Sequence, residues 1–203
     1  MSQLFVISAP SGAGKTSLVK SLLQTRPNLV VSVSHTTRKP RPQEIEGRDY
    51  FFVDTARFHE LIEAGAFLEH ASVFDNFYGT GRAQIDAQLA AGNDVLLEID
   101  WQGAQQVRRA MPAAKTIFIL PPSREVLEQR LRERRTDSAA TIARRLADAA
   151  ADMSHYQEFD FVVINDDFAR ARAEVGAILD GAGVDLTASR PELKALAGRL
   201  IPA

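Results

Sequence analysis

The segment Ala9-Pro10-Ser11-Gly12-Ala13-Gly14-Lys15-Thr16 carries the strongest chemical signal in the chain. It fits the pattern Gly-x-x-x-x-Gly-Lys-Ser/Thr, with Ala9 in place of the first glycine. Such glycines let backbone N–H groups converge on phosphate oxygens, and the start of a following helix adds partial positive charge. At this spacing Lys15 reaches toward the β- and γ-phosphates of a nucleoside triphosphate, and the Thr16 hydroxyl is placed to ligate Mg²⁺. A Cβ at position 9 matters only if φ there is positive.

A second cluster, Ser34-His35-Thr36-Thr37-Arg38-Lys39-Pro40-Arg41, sets two arginines in a stretch that Pro40 and Pro42 stiffen. Two held guanidinium forks can grip one phosphate bidentately. Tyr50 and Tyr78 offer hydroxyl donors to the same anion. A third cluster spans Arg124 to Arg145, with seven basic and four acidic residues. It reads either as a cationic surface for phosphates or as a solvated helical face of i,i+4 ion pairs. The four histidines, His35, His59, His70 and His155, are scattered and form no nucleophile–base pair.

The composition bounds these readings. The chain has 203 residues, 45% apolar and 25% charged, with a formal net charge of −2. That is ordinary globular composition, with enough apolar surface to offset the ordering entropy. The absence of cysteine excludes a disulfide scaffold, a thiolate metal site and a Cys nucleophile. A charge near zero argues against bulk binding to nucleic acid or membrane. No apolar run approaches the roughly 18 residues of a membrane span, and Met1-Ser2-Gln3-Leu4 has no basic leader character. The expectation is a cytoplasmic protein, monomeric or homo-oligomeric.

Elements that would position the clusters follow from periodicity. Leu4 to Ile7, Leu29 to Val33, Asp94 to Ile99, Thr116 to Leu120 and Phe161 to Ile164 are continuous apolar runs, as in strands buried on both faces. Helical patterns run over Thr16–Gln24, Asp54–Ala64, Arg82–Ala91, Gln102–Ala110, Ser123–Arg132, Ala140–Tyr156 and Phe168–Leu179. Tyr50–Val53 and Ala66–Phe74 read as short strands, Asn76–Gly79 as a turn, and His35–Asp49 as a long loop. The residues after Gly181 show weak periodicity, a tail that docks loosely or mediates assembly. Alternating strands and helices predict an α/β fold, a parallel sheet covered by helices, with a small inserted subdomain.

Taken together, Ser11-Gly12-Ala13-Gly14-Lys15, Ser34-x-x-x-Arg38-x-x-Arg41, Gly47-x-Asp49-Tyr50, Tyr78-Gly79-Thr80, Ile99-Asp100-x-x-Gly103 and Asn165-Asp166-Asp167 resemble the motifs of bacterial guanylate kinases over about Leu4 to Leu179. The resemblance implies a P-loop NTPase-like core (1–33, 82–123 and 157–181), a GMP-binding α+β subdomain (34–81), a helical lid (124–156) and a tail (182–203). It implies ATP-dependent, Mg²⁺-dependent phosphorylation of GMP to GDP. Carried over by motif, Ala9 to Thr16 bind ATP, and Asn165 borders the adenine. Arg38, Arg41, Tyr50 and Tyr78 hold the GMP phosphate; Ser34, Glu69, Thr80 and Asp100 read the guanine, and Gly79 also belongs to the GMP site. Asp100 also has an alternative place in the Mg²⁺ shell. Lys15, Arg134 and Arg145 are the implied catalytic cations. Arg135 stands where the family commonly has glycine, so either Arg134 or Arg135 can fill the lid position. Two alternatives stand beside it: a non-catalytic guanylate-kinase-like interaction module, or a kinase for another phosphorylated small molecule.

Overall fold

The computed structural model describes residues 2–73, 75–133 and 139–201, with Ala139 described by its backbone alone. In chain order the elements are β1 (Leu4–Ser8), α1 (Lys15–Leu23), β2 (Leu29–Val31), β3 (His35–Thr36), β4 (Phe51–Phe52), α2 (Thr55–Glu63), β5 (Phe67–Val73), β6 (Asn76–Gly81) and α3 (Arg82–Ala90). They continue as β7 (Asp94–Glu98), α4 (Trp101–Ala110), β8 (Lys115–Leu120), α5 (Arg124–Glu133), α6 (Ala139–Ser154), β9 (Phe161–Ile164), α7 (Phe168–Leu179) and α8 (Pro191–Leu200). Parallel strands covered by helices give the expected α/β class. The chain divides into two compact units, Met1–Leu4 with Asn28–Ala114, and Phe5–Pro27 with Lys115–Ala203.

In the second unit β1, β8 and β9 pair in parallel, Ile7 opposite Ile117 and Ile119 opposite Val163. Val6, Ile7, Ile117, Ile119, Val162 and Val163 have no exposure, which is why these strands read as unbroken apolar runs. Helices α1 and α7 pack together, tied by Arg26 Nη1 and Nη2 donating to the Asp180 carboxylate at 2.7 Å each.

The first unit holds the parallel β2–β7 pair and a mixed four-stranded sheet in the order β4-β3-β6-β5. Its aromatic core gathers Phe58, Phe67 and Phe77, with Phe58 fully buried. Asp54 caps α2 by accepting from the Arg57 N–H at 2.7 Å, as its side chain favours.

Three expectations fail. The long loop expected over His35–Asp49 begins in a strand, because His35 and Thr36 form β3, paired with β4 on one side and β6 on the other. Asn76–Gly79 is not a turn but the start of β6, which pairs with β3 on one side and β5 on the other. Its Asn and Gly residues speak for a turn locally, and ladder bonds on both edges override them. The turn falls one step earlier, where Asp75 is the one non-glycine residue with positive φ (64°) among the described residues. The tail is not loose either. Helix α8 buries Leu193, Leu196, Ala197 and Leu200, an i, i+3, i+4, i+7 stripe present in the sequence and packed in part on α6.

Candidate active site

The phosphate loop lies in the second unit, between β1 and α1. Gly12 and Gly14 have φ of +92° and +94°, conformations that a Cβ would strain. Ala9 is not among the positive-φ residues, so its side chain is tolerated. Gly14 occupies the N-cap of α1, where no side chain caps the helix and the first turn carries no acidic residue. The first-turn N–H groups and the positive end of the dipole are thus arranged for an anion. Lys15 is half-buried and Thr16 exposed, both in that first turn.

Asn165, just past β9, braces this loop. Its Nδ2 donates to the Ala13 carbonyl at 2.7 Å, and its own N–H donates to the Leu120 carbonyl at 2.8 Å. A Cβ on Gly14 would collide with that same Nδ2, a second reason for glycine there. Asn165 Oδ1 is buried and has no hydrogen-bond partner among the described residues. Arg130 on α5 donates from Nη2 to the Asn165 carbonyl at 2.9 Å, while its Nη1 is buried and unpartnered among the described residues. Asn165 and Arg130 are both lining residues of a cavity of about 370 Å³, with Gly12, Gly14, Ser17, Glu133 and Phe168. Arg130 belongs to the cationic cluster but stood out in the sequence no more than its neighbours; burial is what singles it out. Asp167 has a different task from Asn165, capping α7 by accepting from the Arg170 N–H at 2.7 Å.

Arg145 sits half-buried on α6. Arg134 and Arg135 lie outside the described residues.

The first unit gathers the remaining residues. Glu69 on β5 faces Thr80 on β6 across the ladder. Both are buried, at 3% and 0% exposure. Thr80 Oγ1 donates a short hydrogen bond to Glu69 Oε1 and lies 3.0 Å from Ser34 Oγ. Because the single Thr80 proton goes to the carboxylate, Ser34 is the donor in its pair with Thr80, and the relay runs Ser34 to Thr80 to Glu69. Asp100 is the N-cap of α4, its Oδ1 accepting from the Gly103 N–H at 2.9 Å and its Oδ2 from Gln102 Nε2 at 3.2 Å. A Cβ on Gly103 would strike Glu69 Oε2, so this glycine exists to let the carboxylate lie against the helix. Gly79 is glycine for another reason: a Cβ there would press at 3.0–3.1 Å on the Phe58 and Phe67 rings.

Arg38 is 16% exposed at its side chain and Arg41 67%. Glu44, which its charge alone does not distinguish in the sequence, organises both. Its Oε1 accepts from Arg38 Nη2 at 2.7 Å and its Oε2 from the Arg41 backbone N–H at 2.7 Å. Burial alone would raise the Glu44 carboxyl, but the hydrogen bonds from Arg38 and the Arg41 N–H outweigh it and hold the group below the usual carboxylate range. The spacing Arg38-x-x-Arg41-x-x-Glu44 was the available signal. The Arg38 guanidinium lies 5.4 Å from the Tyr50 ring centre, and the Tyr50 and Tyr78 rings meet edge-on at 6.0 Å. Burial, with Tyr78 and Glu98 nearby, pushes the Tyr50 phenol up, so it stays a neutral O–H donor at physiological pH.

A phosphate-binding loop is thus joined in one chain to a buried carboxylate with a hydroxyl relay and an arginine–tyrosine cluster. The guanylate kinase family profile matches residues 1–182. The chain belongs to the guanylate kinase family. It is 56% identical over 198 residues to the guanylate kinase of Methylococcus capsulatus, covering 98% of this chain and 95% of that protein. It is 51% identical over 200 residues to that of Escherichia coli K12, at 98% and 97% coverage. The crystal structure of guanylate kinase from Anaplasma phagocytophilum superposes with a TM-score of 0.74 at 36% identity, covering 96% of this chain and 93% of that one. The interaction-module alternative is not favoured by these likenesses.

Proposed function

We propose that the chain transfers the γ-phosphoryl group of ATP to GMP, giving ADP and GDP, with residues 34–81 receiving GMP and residues 124–156 acting as the lid. The observation that carries this reading is the buried Glu69 carboxylate, hydrogen-bonded by Thr80 and pressed against the glycine of α4. Guanine presents two adjacent donors, N1–H and N2–H, beside the acceptor O6. Carboxylates at positions 69 and 100 accept those donors, and Ser34 supplies a donor to O6 by turning its proton from Thr80 to the base. Adenine has no 2-amino donor and carries a lone pair at N1, which would oppose a carboxylate. A mismatch of that kind discriminates by about 10⁴ or more.

Arg38, held by Glu44, and the Tyr50 and Tyr78 hydroxyls bind the GMP phosphate, with Arg41 closing from its exposed position. The acceptor is already dianionic, so the protein removes no proton. Its work is to align two anions and offset their repulsion, through Lys15, the α1 N-terminus and the arginines at 130, 134 and 145. Asn165 holds the loop in register for the triphosphate. The donor set at the loop fits Mg²⁺: one exposed Thr16 hydroxyl in the first turn of α1, beside where phosphate oxygens would lie, is the sparse protein ligation this cation takes. When bound, Mg²⁺ neutralises charge on the β- and γ-phosphate oxygens.

A coupled ADP assay across GMP, dGMP, AMP, CMP and UMP tests the reading. GMP-dependent ADP release is expected, with AMP slower by at least about 10⁴; equal turnover with AMP would overturn the base assignment. Lys15→Ala should lower kcat by orders of magnitude with circular dichroism unchanged.

A further inference from the structure

The strand that carries Glu69 is the outer one of its sheet, so one side of its backbone has no neighbouring strand there. The ladder also slips between Phe67 and Glu69, where the register with β6 shifts. An edge strand with an irregularity at that point is a poor platform for a carboxylate that must be placed to a fraction of an ångström. Helix α4 supplies what the sheet lacks. Gln106 Oε1 accepts from the His70 N–H at 3.1 Å, and Gln106 Nε2 donates to the His70 carbonyl at 2.7 Å. A primary amide offers one acceptor and donors side by side, as a peptide group does. Gln106 therefore pairs with residue 70 as an adjoining strand would.

Asp100, Gly103 and Gln106 recur every three residues and share one face of α4. The first caps the helix with a carboxylate, the second leaves room for Glu69, and the third grips the backbone next to Glu69. We infer that Gln106 is a positioning residue for base selection: by clamping His70 to α4 it sets the spacing between the Glu69 and Asp100 carboxylates, and with it the preference for a purine bearing a 2-amino group. This rests on the guanine reading of Glu69 given above. Gln106 itself touches no substrate.

The test uses the whole chain with Gln106→Leu, which keeps bulk and removes both hydrogen bonds, and Gln106→Glu, which keeps the acceptor for the His70 N–H and loses the donor. Binding of GMP and of IMP, which lacks only the 2-amino group, is measured by calorimetry, with kinetics for both and for ATP. The wild type should prefer GMP over IMP. In Gln106→Leu the GMP dissociation constant and KM should rise about tenfold or more, as expected for loss of two hydrogen bonds. IMP affinity should change less, so the preference narrows, while the KM for ATP stays within about twofold. Gln106→Glu should fall between, and serves if the leucine variant folds poorly. In a Glu69→Ala background the Gln106→Leu change should have no further effect on GMP binding, since coupled residues are not additive. An unchanged GMP-over-IMP preference in both variants, or an equal loss in the Glu69→Ala background, overturns the role of Gln106 alone. A wild type that binds GMP and IMP alike overturns the guanine reading of Glu69 and this inference with it.

Discussion

Removing a carboxylate from water costs on the order of several kcal/mol unless hydrogen bonds replace its hydration. Glu69, at 3% exposure, receives the Thr80 hydrogen bond from β6 and packs against Gly103 of α4. Glu44 makes the complementary case on the phosphate side. It was not singled out in the sequence because an acidic residue in a basic loop reads as a solvated counter-charge. In the fold it accepts from Arg38 and from the Arg41 backbone together. Its removal frees a guanidinium on a long, rotamer-rich chain. Glu44→Ala should therefore raise the KM for GMP about tenfold, the scale of one hydrogen bond to a charged group, with the KM for ATP unmoved. Steady-state kinetics with each substrate varied in turn checks this. A lower KM for GMP would instead mark Glu44 as a competitor of the phosphate.

At the scale of elements, α4 separates stability from selectivity. Alanine is the better helix former by about 1 kcal/mol, so propensity alone predicts that Gly103→Ala stabilises the helix. The new Cβ, however, would occupy the place of Glu69 Oε2. The expected outcome is a melting temperature within a few degrees of wild type and a kcat/KM for GMP lower by about 10²-fold, the scale of a 1 Å misplacement. Thermal melts with parallel kinetics would decide it; unchanged kinetics would show that Glu69 relaxes freely. Helix α8 predicts the opposite pattern. Leu193 is fully buried, so Leu193→Ala should cost about 2–5 kcal/mol in denaturant unfolding, leaving both KM values alone. Its stripe was visible in the sequence as Leu193-x-x-Leu196-Ala197-x-x-Leu200. Two turns of periodicity, preceded by Gly181, Gly183 and Pro191, are too short a signal to stand against a reading as a tail.

For the molecule as a whole, one contribution to the pH dependence of stability comes from His35. Burial, its largest influence, holds the imidazole below its ordinary value, with Glu46 opposing and Arg57 reinforcing. Its ring lies against Phe51 and Phe67, and its Nδ1 is buried without a hydrogen-bond partner among the described residues. The folded state therefore binds fewer protons here than the unfolded chain. The contribution is full above pH of about 6.5 and is lost as pH falls from there through the lowered folded-state value. Urea unfolding between pH 8 and 5 should show this decline, and His35→Phe should flatten it. No helix among the described residues is long and apolar enough to cross a membrane.

Local spacing was enough to place the phosphate loop and the alternation of buried strands with helices, because each depends on residues within a few positions of one another. Propensity failed where partners from elsewhere in the chain decide, as in β6, whose turn-like residues are held extended by strands on both sides. The supports of the site belong to the same class. Asn165 reaches Ala13 across 152 residues and Gln106 reaches His70 across 36. No periodicity records such a meeting, since the amide acquires its role only when folding brings an unpaired backbone group within about 3 Å of it.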